Sequence, residues 1–210
     1  MKIDLHVHSK YSKDCWLELK DLLKVAQTRL DAIAITDHDT IRGGLEARRL
    51  VEEGEAEIKV IVGAEIKTNK GEVMGYGLEE EIAARDFWEV VDAIREQGGI
   101  VGVSHPFDSI RPHSLKPGKD ILQGIDTVEV FNSRCILASF NEKAMKFAIE
   151  NNLGMTAGSD AHTLQEIGRS GVVLDSLEFN PEMLRDAKIF GEKTSPLELI
   201  KTKFKKVIRP

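Results

Sequence analysis

Residues 2–9 read KIDLHVHS, and the reading of this stretch decides the fold. In an extended strand the two-residue side-chain period puts Ile3, Leu5 and Val7 on one face and Asp4, His6 and His8 on the other. A strand with one apolar face and one face of imidazoles and a carboxylate needs an enclosed, polar place for the second face. The mouth of a barrel supplies one.

Outward from this strand, short apolar runs alternate with amphipathic stretches. DAIAITD, IKVIVGAEI, EVMGYG, GIVGVSH, DTVEVFN, LGMTAGSD and SGVVLD have strand character. Helical patterns fall over Leu17–Leu30, Gly43–Glu53, Ile82–Gln97, Ile136–Asn151 and Pro181–Ala187, with a last helix from Pro196 to about Val207. Leu19, Leu22, Leu23, Ala26 and Leu30 mark one stripe of the first helix at the 3.6-residue period. Alternating strands and helices predict βαβ units and a mostly parallel sheet. Seven or eight units favour a TIM-like α/β barrel, with an open sheet as the alternative. Residues 1–210 carry no internal repeat or linker and read as one domain. The most loop-like insertion is RPHSLKPGKD, Arg111–Asp120.

The 210 residues are enough to bury a large core, and a net charge of −6 argues against broad adhesion to nucleic acid or to anionic membrane. No run of about 18 apolar residues predicts a membrane span, and no basic-then-apolar leader opens the chain. Two distant cysteines, Cys15 and Cys135, read as reduced thiols, and the expected location is cytoplasmic.

Five of the six histidines lie in or at the end of predicted strands, and His113 lies in the long loop. Asp37 and His38 end one strand, Glu65 another, His105 a third, and Asp160 and His162 a fourth. In a parallel barrel these ends converge with His6 and His8 on one face. Any one of them has an ordinary explanation; Asp37, for example, suits a turn or a helix cap. Their recurrence at equivalent places does not. Mixed imidazoles and carboxylates suit borderline divalent ions, and a carboxylate can bridge two ions about 3.5–4 Å apart.

These stretches resemble the motifs of the PHP (polymerase and histidinol phosphatase) superfamily of metal-dependent phosphoesterases. DLHVHS, TDHDT, GAEI, SHP and GSDAH stand in the family's order over residues 4–162. The resemblance implies a distorted seven-stranded (βα) barrel and two or three divalent ions, zinc, manganese or iron. It assigns His6, His8, Glu65 and Asp160 to one ion, and Asp14, His38 and His162 to another. Glu65 would bridge to a further ion held by His105. Relatives often carry a histidine in the strand matching GEVMGYG; here Glu72 or nothing stands in. Glu129 and Asn132 are weaker ligand or substrate-contact candidates.

The implied reaction is hydrolysis of a phosphate ester by metal-activated hydroxide on a small phosphorylated metabolite or nucleotide, with Asp37 or His113 as proton donor. Arg134 and Arg169, each following a motif-bearing strand, are the expected phosphate contacts, and Arg111 lies in the long loop beside His113. The alternatives are a metal-dependent amidohydrolase, an exonuclease acting on short oligonucleotides, and a degenerate metal-binding scaffold without turnover. Neither a membrane nor an extended nucleic acid is an expected partner, and the sequence leaves oligomeric state open.

Overall fold

The computed structural model describes residues 1–176 and 179–200. The helix expected from Pro196 is helical over residues 196–200, and its remainder lies outside the described residues.

Each apolar run named above forms a strand: β1 (Lys2–Val7), β2 (Ala32–His38), β3 (Lys59–Thr68), β4 (Gly71–Tyr76), β5 (Ile100–Val103), β6 (Thr127–Asn132), β7 (Gly154–Gly158) and β8 (Ser170–Val173). A ninth, β9 (Lys188–Gly191), has no alternating or continuous apolar signal. The helices are α1 (Leu19–Ala26), α2 (Arg42–Glu52), α3 (Phe87–Glu96), α4 (Ala138–Glu150) and α5 (Pro181–Arg185). The expected start of α3 at Ile82 is five residues early. Asp86 sets the true start, accepting hydrogen bonds from the backbone amides of Trp88 and Glu89 and so satisfying two of the helix's open donors.

The strands form one sheet in the order β7-β6-β5-β4-β3-β2-β1-β8-β9. Nine strands replace the seven implied by the family resemblance. The sheet is also mixed rather than mostly parallel. The pairs β1–β2, β2–β3, β5–β6 and β6–β7 are parallel, and β3–β4, β4–β5, β1–β8 and β8–β9 are antiparallel. The cause is local: Asn69 and Lys70 leave only a hairpin-length connection between β3 and β4, which cannot carry a parallel crossover.

The sheet nearly closes. The end of β7 meets β1 through a parallel bridge between Val7 and Ala161, and the Asp160 amide donates to the His6 carbonyl at 2.7 Å. Gly158 permits this approach, since a Cβ there would stand 2.2 Å from that of His6. Ile3, Leu5, Ala34, Met74, Tyr76 and Ala157 come from strands around the sheet and pack together, so they fill the barrel interior. A second apolar layer joins α1 and α2 to β1 and β2, and a third joins α3 and α4 to β3 through β6. Among the described residues no helix is long and apolar enough to cross a membrane. Cys15 and Cys135 are both free thiols and buried.

Candidate metal centre

A register shift between Asp4 and Val7 breaks the alternation of β1. Asp4, expected beside His6 and His8, is instead held by the Ser159 amide and hydroxyl and the Gly168 amide, at 2.9, 2.5 and 2.9 Å. Burial pushes its carboxyl up to about 6. His6 and His8 turn toward each other, with their Nε2 atoms 3.1 Å apart. The strand ends then deliver the other donors. His38 ends β2, Glu65 lies in β3 directly across from it, Glu72 lies in β4, and His105, Asp160 and His162 follow β5 and β7.

Around His6 and His8 the separations are those of a single ion's ligands. His6 Nε2 lies 3.4 Å from Glu65 Oε2 and 3.9 Å from Asp160 Oδ1. His8 Nε2 lies 3.6 and 3.4 Å from the same two atoms. Bonds of about 2.0–2.2 Å in a tetrahedron put donors about 3.3–3.6 Å apart. A second group adjoins it: Asp14 Oδ2 is 3.1 Å from His162 Nε2 and 3.7 Å from His38 Nε2, and His38 Nδ1 is 3.2 Å from Glu65 Oε2. In a third, His105 Nε2 stands 2.9 Å from Glu65 Oε1 and 3.8 Å from Glu72 Oε2. Glu65 reaches all three groups, so its carboxylate has the position of a bridge. The structure therefore brings together all eight residues that the resemblance implied as ligands, with Glu72, named as a possible stand-in for the missing histidine, beside His105.

Proton accounting fixes how these rings face. His6 Nδ1 pairs with Glu129 Oε1 at 2.9 Å, a carboxylate that can only accept. The Ser12 hydroxyl donates to Asp37, so it must accept from His8 Nδ1 at 3.1 Å. His162 Nδ1 donates to the Asp160 carbonyl at 2.9 Å. In all three rings the proton sits on Nδ1 and the Nε2 lone pair points inward. Two inward lone pairs 3.1 Å apart, beside Glu65 and Asp160, repel each other unless a cation lies between them. The buried Glu65 Oε1 also lacks hydrogen-bond geometry despite its closeness to His105. The donor set thus fits divalent ions.

The same carboxylates shift the imidazoles. Burial alone would lower His6, but Glu129, Glu65 and Asp160 outweigh it and hold the ring well above its ordinary pKa. His38 rises to about 9, burial being outweighed by Glu65 and Asp14. His8 falls to about 3, through burial and the neighbouring imidazole of His38. Burial and the charge of Glu65 raise Glu72 to about 7.

The supporting residues differ from several expectations. Asp37 is fully buried: its Oδ1 accepts from the Ser9 amide and the Ser12 hydroxyl, and its Oδ2 from the Ser9 hydroxyl. Both oxygens are engaged away from the cleft, so it orients the loop under His8 and is not placed to hand a proton to a substrate. Glu129 and Asn132 are also buried below the donors. Glu129 Oε2 accepts from the His105 amide at 2.6 Å, and Asn132 Nδ2 donates to Glu129 and Asp160. They hold ligands rather than substrate. Arg169 makes a fork with Glu198, two bonds of 2.7 Å, and is not among the cleft's lining residues. Arg111 lines the cleft instead, with Nη1 2.6 Å from Asp160 Oδ2 and Nε 3.2 Å from Asp108. Its position in a proline-rich loop gave the sequence no register by which to place it.

His105 and Asp160 have φ of 29° and 54°, a left-handed backbone that non-glycine residues rarely adopt. Such strain costs on the order of 1–3 kcal/mol and survives where surrounding contacts over-determine a side chain's direction. Above the donors opens a cleft of about 920 Å³, lined by Asp14, His38, Asp160, His162, Arg134 and His113 among others. Arg134 Nη1 pairs with Glu166 at 2.9 Å, and His113 Nε2 lies 2.9 Å from the Lys67 ammonium.

A nearly closed, mixed α/β barrel that gathers imidazoles and carboxylates beneath one cleft defines a TIM-like scaffold with a donor cluster able to hold metal ions. Comparisons with known proteins support assignment of the chain to the PHP superfamily. A family model described as PHP-associated matches residues 138–188. The uncharacterized protein MJ0417 of Methanocaldococcus jannaschii is 38% identical over 184 residues, 84% of this chain and 72% of that protein. Among solved structures, a two-domain Bacteroides vulgatus protein containing a predicted PHP-like metal-dependent phosphoesterase superposes with a TM-score of 0.72 at 21% identity, over 98% of this chain and 69% of that one. PsfC from Pseudomonas syringae superposes with a TM-score of 0.69 at 17% identity, over 99% of both chains. These two likenesses are of fold.

Proposed function

We propose that this chain is a metal-dependent phosphoesterase acting on a small phosphorylated substrate. His6, His8, Glu65 and Asp160 would hold one divalent ion, Asp14, His38 and His162 a second, and Glu65, Glu72 and His105 a third. Zinc, manganese and iron suit the mixed nitrogen and oxygen donors. The observation that carries this reading is the buried cluster of histidine Nε2 atoms and carboxylates, within the spacing of an ion's ligands and open to a cleft.

Bound there, the ions supply Lewis acidity: they lower the pKa of water and neutralise charge on phosphoryl oxygens. The chain's own residues do the rest. Glu129, Ser12 and the Asp160 carbonyl fix the imidazole tautomers, so the donors are ordered before substrate arrives. Arg111 and Arg134 line the cleft and offer planar guanidinium groups to phosphate oxygens. In hydrolysis a P–O bond forms to water's oxygen, the ester P–O bond breaks, and the departing alkoxide takes a proton. His113 lines the same cleft; its Nε2 accepts from the Lys67 ammonium, so as the proton donor it would act through Nδ1.

The test is phosphate release from a panel of esters by the ion-loaded protein and by its His38→Ala and Asp160→Ala variants. Turnover should fall by at least a hundredfold in both variants. Hydrolysis at the parental rate in both variants would refute the mechanism.

A further inference from the structure

The cleft has two unlike sides. Its floor is the donor cluster, whereas Ile110, Pro112, Ile136, Leu199 and Ile200 line its outer part. Ile110, Ile136 and Ile200 are 52%, 47% and 50% exposed, among the most open large apolar side chains of the described residues. Single exposed isoleucines are ordinary; three converging on one cleft from separate segments are not.

The wall is also held in place. Residues 192–200 return across the barrel mouth, where the Thr194 amide donates to the Ser133 carbonyl at 2.7 Å. The Lys193 ammonium donates to the carbonyl of Ile136, joining two parts of the wall. The Arg169–Glu198 fork fastens the following helical turn. Arg169 is therefore a positioning residue for the wall, which accounts for its absence from the cleft. These aliphatic side chains offer no hydrogen bond to sugar hydroxyls, and among the described residues no Phe, Tyr or Trp lines the cleft to stack a base.

We infer that the substrate's alcohol portion is apolar next to the phosphate: an alkyl or branched aliphatic phosphate ester rather than a polyhydroxylated sugar phosphate. The inference rests on the phosphoesterase reading for its phosphate end, and on the wall for the rest.

Binding of alkylphosphonates from methyl to hexyl, which cannot be hydrolysed, to the manganese-loaded chain tests it by calorimetry. A buried methylene is worth at most about a fourfold gain in affinity, so two- to fourfold per added methylene is expected over the first few. The Ile110→Ser/Ile136→Ser double variant, and independently Ile200→Ser, should flatten that gradient; all three positions are exposed, so folding should survive. Equal affinity along the series, no binding at all, or a gradient untouched by both variants would overturn the inference. Turnover of methyl, hexyl and glycerol phosphates is measured in parallel. A preserved phosphonate gradient with no turnover of any ester would refute the phosphoesterase reading and leave the apolar wall standing.

Discussion

Glu129→Gln is the most informative single substitution, because Glu129 touches no proposed ion site directly yet fixes two of the donors. Its Oε1 accepts from His6 Nδ1 at 2.9 Å, and its Oε2 accepts from the His105 amide at 2.6 Å and from Asn132 at 3.1 Å. Glutamine has the same shape but one acceptor and one donor. If its amide nitrogen faces His6, two N–H groups meet, and the ring must move its proton to Nε2, losing the lone pair that points inward. If it faces His105, it meets a backbone N–H and the Asn132 amide in a site with no water-exposed escape. Either arrangement damages the centre. Loss of such an outer partner typically costs 10–100-fold in metal affinity, about 1.4–2.7 kcal/mol. Competition against a calibrated chelator measures it, with thermal unfolding of the metal-free protein as the folding control. Unchanged affinity in a folded Glu129→Gln protein would show that the tautomer argument is wrong.

Other outcomes follow from the same geometry. Glu72→His, which replaces an oxygen donor 3.8 Å from His105 by nitrogen, should tighten zinc binding at the third group, read by competition against a chelator; an unchanged affinity for every bound zinc would argue against a third site there. His38 in the metal-free protein has its pKa raised to about 9. A raised histidine adds stability that is full below its unfolded value of about 6.5 and is lost as pH rises through about 9. Metal binding at pH 7.5 should therefore release at least one proton, seen as a binding heat that varies with the buffer's ionisation enthalpy; a buffer-independent heat would contradict the assignment. Gly158→Ala would place a methyl group 2.2 Å from His6 Cβ and 2.6 Å from its amide nitrogen. Overpacking of this kind costs about 1–3 kcal/mol, so the unfolding midpoint should fall by roughly 2–12 °C, and an unaltered midpoint would mean that β1 and β7 are not so close.

The sequence disclosed the strands and the donors more fully than the topology. Apolar runs such as DAIAITD are long enough to need burial on both faces, and each forms a strand. Strand direction depends on connection length and turn geometry instead, and the reversal at Asn69–Lys70 was not legible in EVMGYG. β9 was missed because KIFG is short and only half-buried. His38, Glu65, His105 and Asp160 could be read because they lie at the ends of apolar runs, where an unpaired imidazole or carboxylate is costly without a purpose, whereas Asp14, in the loop after β1, came only from the family resemblance. Asp4 and Asp37 look the same in sequence as Asp160, and only the β1 register shift and the serine contacts separate their roles. Arg169 was misplaced because proximity to GSDAH in sequence says nothing of the Glu198 carboxylate that captures it.

The most direct test of the whole account is phosphate release by the metal-stripped chain titrated with manganese or zinc, using a small phosphate ester. The account predicts no turnover without metal and a rise that levels off at two or three equivalents per chain. Full turnover by the stripped protein, or none of any ester after loading, would contradict it.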